Sequence, residues 1–148
     1  MRKTIFENGI LFVMAILFCS LSLVSCGTAH HAEGWYFLKN PTDKVSGKPL
    51  FTYADYERVE IDGENPNPGS STMSIKLKSD AAKRLADVTG QNIGRYIAYV
   101  HNDSVIECPR INARIESGAL QILSRDSALI TQIYDAMETS VRSNLNKK

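Results

Sequence analysis

The chain has 148 residues, 17 of them basic and 16 acidic, with a formal net charge of +1 and 43% hydrophobic side chains. That is enough for one globular domain with an ordinary core, and too little for two. Near-neutral charge with no Lys/Arg stripe excludes the electrostatic footprint of a nucleic-acid binder and leaves no polybasic patch for anionic lipid.

Arg2 and Lys3 precede an apolar run from Ile10 to Val24, which closes on Ser25 and Cys26. A basic start, an apolar centre and a small-residue end form the layout of a secretory signal. The run is shorter than the roughly 20 residues of a spanning helix. Leu23, Val24, Ser25 and Cys26 resemble a bacterial lipobox, in which the thiol is acylated and becomes the new N-terminus. The resemblance implies a signal peptide over 1–25, a palmitate-type lipid anchor on Cys26, a tether over 26–33 and a domain over 34–148. Several acyl chains on one residue supply the second anchoring signal that a single chain lacks. An ordinary cleaved signal is the simpler alternative.

Gly27, Thr28, Ala29, His30 and His31 follow Cys26, with no acidic residue among them. An aspartate there would resemble an inner-membrane retention signal. The expectation is therefore a bacterial envelope protein facing the periplasm, at the outer rather than the inner membrane. Removal of 1–25 and acylation of Cys26 would leave Cys108 as the one free thiol, which excludes an internal disulfide. His30 and His31 are adjacent and lack the spaced Cys/His/Asp partners of a metal site, so no metal is expected.

Trp35 to Leu38 reads as an aromatic strand, followed by the turn-rich stretch Asn40 to Pro49. Phe51 to Tyr56 holds one helical turn, and Val59 and Ile61 alternate through a strand over Glu57 to Asp62. Gly63 to Ser71 reads as an exposed loop, because Pro66 and Pro68 lack main-chain donors. In Thr72 to Lys78, Met73, Ile75 and Leu77 alternate with polar residues as in a half-buried strand.

A helix then starts at Ser79 or Asp80 as cap. Ala82, Leu85, Ala86, Thr89 and Ile93 lie on one face, and Gly94 is favoured over Gly90 as the stop. Arg95–His101 and Ser104–Cys108 form a hairpin across Asn102 and Asp103, residues that tolerate positive φ. Pro109 edges the second strand. Ile111 and Ile115 lie in an irregular stretch, Ala119–Leu123 is a last strand, and Ser124 caps a long helix. That helix carries an apolar stripe of Leu129, Ile130, Ile133, Met137, Val141 and Leu145. These elements predict an α+β, two-layer sandwich, a largely antiparallel sheet with two main helices on one face.

Chemistry is thinly signposted. A two-residue turn pairs His101 with Ser104 and Ile97 with Cys108, which sets His101 and Cys108 on one face roughly 13 Å apart. That is beyond the reach of a nucleophile and its base. The acids Glu57, Glu60, Asp62 and Glu64 surround a strand and its turn. There is no phosphate loop, dinucleotide glycine pattern, nucleophile elbow or zinc spacing. No enzyme, catalytic residue or cofactor is expected.

The stretch from Ser79 to Gly118 resembles the head subdomain of the first periplasmic domain of SecD, the protein-export subunit. Ala82, Lys83, Ala86 and Thr89 match its helix, Asn92, Ile93 and Gly94 the helix end, and Ala98 and Val100 the first hairpin strand. Val105, Ile106, Pro109, Ile111, Ile115 and Gly118 match the remainder, and Tyr36 to Val59 is more distantly similar. Asn102-Asp103 stands where that family has Asp-Gly, and Glu107-Cys108 where it has Ser-Ala. The membrane portion of SecD has no counterpart in these residues, so proton-driven coupling is not expected.

The resemblance implies a non-catalytic periplasmic module, lipid-anchored, that binds a protein or unfolded polypeptide in export or envelope assembly. The alternative is a structural envelope lipoprotein acting as a spacer. Sheet edges and exposed aromatics carry such binding, and Trp35, Tyr36, Tyr53 and Tyr56 are the candidate contacts.

Overall fold

The computed structural model describes residues 30–62 and 69–146. The signal, Cys26 and most of the proline-containing loop lie outside them.

Six strands and two helices form. β1 spans Gly34–Leu38, and a single 3-10 turn at Tyr53–Asp55 leads into β2, Tyr56–Ile61. β3 is Ser71–Leu77 and α1 is Ser79–Gln91. β4, Tyr96–His101, and β5, Ser104–Glu107, form the hairpin; β6 is Ala119–Ser124 and α2 is Ser127–Leu145. All strand pairing is antiparallel. The α+β class stands, but the expected sheet is divided into two of three strands, β1-β4-β5 and β2-β3-β6.

Alternation builds the second sheet. Met73, Ile75 and Leu77 point inward from β3 and meet Leu120 and Ile122 of β6 and Val59 of β2. α2 covers them with Ile130, Ile133, Met137 and Val141, all buried. Leu129 is only half-buried and Leu145 is exposed, so the stripe is narrower than the sequence suggests. The α2 cap is Asp126, whose carboxylate accepts the Leu129 N–H at 3.0 Å. Ser124, the expected cap, instead accepts the Asp126 N–H.

α1 buries Ala81, Leu85, Ala86 and Thr89. It has no side-chain cap, since Lys78 occupies that position. The helix ends at Gln91, three residues before Gly94, so Ile93 falls outside it and is 60% exposed. Gly94 still serves the exit at φ +90, and its N–H donates to Ile111 O.

Asn102 and Asp103 both take positive φ, 47° and 58°, the geometry of a two-residue hairpin turn. Beyond it the register slips. His101 faces Ser104 and Val100 faces Val105, but Tyr99 faces Glu107, so Ile106 is the extra residue of a bulge. Ile97 therefore meets Pro109, whose carbonyl accepts its N–H, and not Cys108 as the plain turn predicts.

An irregular strap joins β5 to β6. Ile111 is buried within it and exchanges main-chain bonds with Gly94 and Arg95. Ile115 N–H donates to the buried Thr89 hydroxyl at 2.9 Å, and Thr89 in turn donates to Leu85 O. Gly118 ends the strap at φ +63; a Cβ there would lie 2.5 Å from Ala82 Cβ.

Two substitutions test this framework by urea unfolding. Thr89→Val keeps the shape but orphans the Ile115 N–H, and should cost about 1–3 kcal/mol. Gly118→Ala combines a positive φ with overpacking and should cost about 2 kcal/mol or more; an unchanged midpoint would show that α1 is not held against β6 as described.

Candidate functional site

The four aromatics named from the sequence cluster around β1, though not as a surface. Trp35, Tyr36 and Tyr56 are each 1% exposed, and Tyr53 is half-buried. Trp35 packs against Tyr99 with ring centroids 5.3 Å apart, and Tyr53 against Tyr56 at 5.7 Å. Trp35, Tyr53 and Tyr56 pack into or against the core, whereas Tyr36, on the other face of β1, is covered by His31 and Ala32; three of the four rings are out of a partner's reach. The reason lies in topology: both faces of β1 are covered, so the strand does not alternate between core and solvent.

A polar knot sits beside them. The Tyr53 hydroxyl donates to the Glu33 carboxylate and lies 3.2 Å from the Tyr99 hydroxyl. Burial, and then the contact with Glu33, pushes the Tyr53 phenol far above its ordinary range. His101, 5% exposed, brings Nδ1 within 3.0 Å of Glu33 Oε1, off the direction of a good hydrogen bond. The expected free tether is thus partly docked. His30 and His31 both contact the Asp103 carboxylate in the hairpin turn, and the Tyr36 hydroxyl donates to Ala32 O. The His31 N–H, foremost, holds the Asp103 carboxyl below its usual value.

Cys108 is a free, half-buried thiol, and burial pushes it up, which keeps it protonated at neutral pH. The bulge places it across from Ala98, on the opposite sheet face from His101. Among the described residues, no group of three or more His, Cys, Asp or Glu side chains could hold a metal. No helix among them is long and apolar enough to cross a membrane.

The feature the sequence did not announce is a cleft of about 550 Å³ between the strap and β6. One wall is Ile97, Pro109, Ile111, Ala113 and Ile115; the other is Ser74, Ala119, Leu120 and Gln121, with Trp35 between. Mostly apolar walls with a few polar groups are what ligand clefts of this size present. Two slightly larger or comparable hollows near Lys76 are lined chiefly by charged surface side chains.

The β6 wall is an open sheet edge. Asp62 N–H bonds Thr72 O, and Leu77 N–H bonds Gly118 O, which fixes the alternation of β3. Thr72, Ser74 and Lys76 turn their main-chain groups toward β2, so their partners Leu123, Gln121 and Ala119 turn theirs away from β3. Leu123 N–H is taken by Glu107 Oε2 at 2.9 Å and Ala119 N–H by the Ser117 hydroxyl at 3.3 Å. Gln121 N–H, between them, has no hydrogen-bond partner among the described residues. Glu107 reaches β6 because the bulge sets it on the Tyr99 face. Burial raises its carboxyl above the usual value, against the lowering effect of the Leu123 N–H.

The described residues thus form an antiparallel α+β module of two three-stranded sheets, with an apolar cleft along one strand edge. Residues 41–132 match the family described as SecDF, P1 head subdomain, and the chain belongs to that family. It is 33% identical over 84 residues to a protein translocase subunit SecD of Acidaminococcus fermentans, covering 57% of this chain and 20% of that protein. It is 42% identical over 65 residues to the SecD of Desulfurispirillum indicum, covering 44% of this chain and 12% of that protein. A solved structure of SecDF, a membrane component that enhances protein export, superposes with a TM-score of 0.52 at 29% identity. That superposition covers 66% of this chain and 42% of the solved one. The chain thus spans only a tenth to a fifth of the length of the curated relatives it matches.

The raised Glu107 carboxyl sets a pH dependence. Its folded form holds a proton more tightly than the unfolded chain does, so the ionised group costs stability at neutral pH and the cost fades as pH falls. Glu107→Gln should therefore melt above the wild type at pH 7, with the gap closing toward pH 4.5, the ordinary value of the group. A gap that is constant with pH would place Glu107 in water.

Proposed function

We propose that this protein is a lipid-tethered envelope module that binds extended polypeptide, in protein export or envelope assembly, without catalysing a reaction. The observation that carries the reading is the apolar cleft bounded by the open edge of β6, in a domain of the SecDF P1 head family. Extended chains dock on such edges through main-chain hydrogen bonds, while side-chain pockets beside the edge supply preference. Tyr53 remains the one sequence-named aromatic with exposed area to offer; Trp35 lines the cleft from within, and Tyr36 and Tyr56 are buried elsewhere.

Cys26 is the anchor in this reading, at the outer membrane and facing the periplasm. From Cys26 to His30 the chain can reach at most about 14 Å. With His30 and His31 tied to Asp103, the hairpin turn then stands on the membrane side. The cleft opens at the other end of the hairpin, where Ile97 meets Pro109. The same docking of the tether favours the second reading, a spacer that holds one envelope partner at a set distance.

One experiment tests the anchor that both readings share, and a second separates them. Cys26→Ser should abolish labelling by a radiolabelled fatty acid and release or stall the precursor; undiminished labelling removes the anchor. Crosslinking in native membranes, followed by capture and mass spectrometry, should recover export subunits or many unfolded precursors. Recovery of one stoichiometric envelope partner would favour the spacer.

A further inference from the structure

Each strand edge of the two sheets has a different fate. The outer edge of β1 is bridged by Leu50 and Phe51, with Trp35 N–H donating to Phe51 O at 2.9 Å and Leu50 N–H to Trp35 O at 2.6 Å. β2 is irregular between Tyr56 and Arg58 and carries exposed charge at Glu57, Arg58 and Glu60. β5 is four residues long. Bulges, charge, short length and covering segments are the usual ways of closing an edge to another chain. Among the described residues β6 has none of them: its side chains are uncharged, it pairs with β3 along its whole length, and its free edge lies along an apolar cleft.

Only side-chain acceptors guard that edge, and one of them is unusual. Glu107 sits at the end of β5, after Val105 and Ile106, and reaches across the gap between sheets to Leu123 N–H, the place where a carbonyl of a neighbouring strand would sit. We infer that β6 is a strand-acceptor site for an extended polypeptide segment from another protein, and that Glu107 occupies it in the free state as a stand-in for the incoming main chain. This rests on the polypeptide-binding reading above and names its contact. The segment pairs antiparallel or parallel to β6 by exchanging bonds with Gln121 N–H and C=O. It takes over Leu123 N–H as the Glu107 side chain swings out. Its alternate side chains fall against the accessible apolar part of the cleft, Pro109, Ala113 and Ile115, so apolar residues at every second position suit it. A second copy of this chain is a poorer occupant, because pairing through its own β6 would have to displace Glu107 from both edges at once, whereas a segment from another protein displaces one.

Swinging Glu107 out gives up one hydrogen bond, so the guard weakens binding by an amount that truncation should recover. The test uses the full domain and a fluorescein-labelled ten-residue peptide of alternating valine and lysine, read by anisotropy and by amide hydrogen exchange. Expected are protection of the Gln121 and Leu123 amides on binding, affinity about fivefold higher for Glu107→Ala than for wild type, and an intermediate value for Glu107→Gln, which keeps an acceptor. A peptide with proline at alternate positions, which lacks the donors, should not bind.

Binding with no protection at Gln121 and Leu123, or equal binding of the proline peptide, overturns strand addition while leaving polypeptide binding in place. Weaker binding by a folded Glu107→Ala makes Glu107 a contact and overturns its role as a stand-in. Concentration-dependent dimerisation of Glu107→Ala in place of peptide binding makes the occupant a second copy. Absence of peptide binding by every variant removes the underlying reading too.

Discussion

Between β5 and β6 the chain must pass from one sheet to the other without regular structure, and the fold depends on how the main chain of that strap is satisfied. Pro109 O, Ile111 N–H and O, Ile115 N–H and Gly118 O are taken up by Ile97, Arg95, Gly94, Thr89 and Leu77 in turn. Buried main-chain groups left unpaired would each cost on the order of 1–3 kcal/mol. Because the partners come from β4, α1 and β3, the strap ties the hairpin, the first helix and the second sheet into one body. Thr89 is the hinge of this arrangement, the buried polar side chain on an otherwise apolar helix face.

The cleft follows from the same solution. A strap pinned at Ile97 and again at Thr89 stands off from β6, so the two sheets meet at Glu107 and Leu123 and diverge beyond. The bulge at Ile106 turns Glu107 toward β6, while bonding to β4 continues past it through Pro109 and Arg110. One extra residue thus supplies the group that covers part of the β6 edge. At the opposite end of the hairpin, Asp103 gathers His30 and His31, so these residues and the cleft lie at opposite ends of the hairpin.

Family membership gives these features a setting without dictating their use. The chain belongs to the SecDF P1 head family, and Glu107 stands where the family resemblance has serine. A fold of this kind can host different partners, and function has to be argued from the site. Here the site offers main-chain hydrogen bonding beside an apolar wall, and those two together suit extended chains better than compact ligands.

Much of the local structure was legible in the sequence because it is set by near neighbours. The period-two pattern of β3, the Asn102-Asp103 turn and the stripe on α2 needed no knowledge of the rest of the chain. The resemblance to the SecD head was also legible, carried by the helix end, hairpin and proline in order. Three things were decided only by tertiary contact. Trp35, Tyr36 and Tyr56 look like surface aromatics until β4, Phe51 and the 3-10 turn close over them. The single predicted sheet becomes two because β5 and β6 do not pair, the strap between them giving its main-chain bonds to β4, α1 and β3. Glu107 reads as an ordinary charge on a short strand, and only the approach of β6 gives it a main-chain N–H to hold. Sequence spacing governs what residues a few positions apart can do. Edges, clefts and guards arise from segments far apart in the chain, and their energetics exist only once those segments meet.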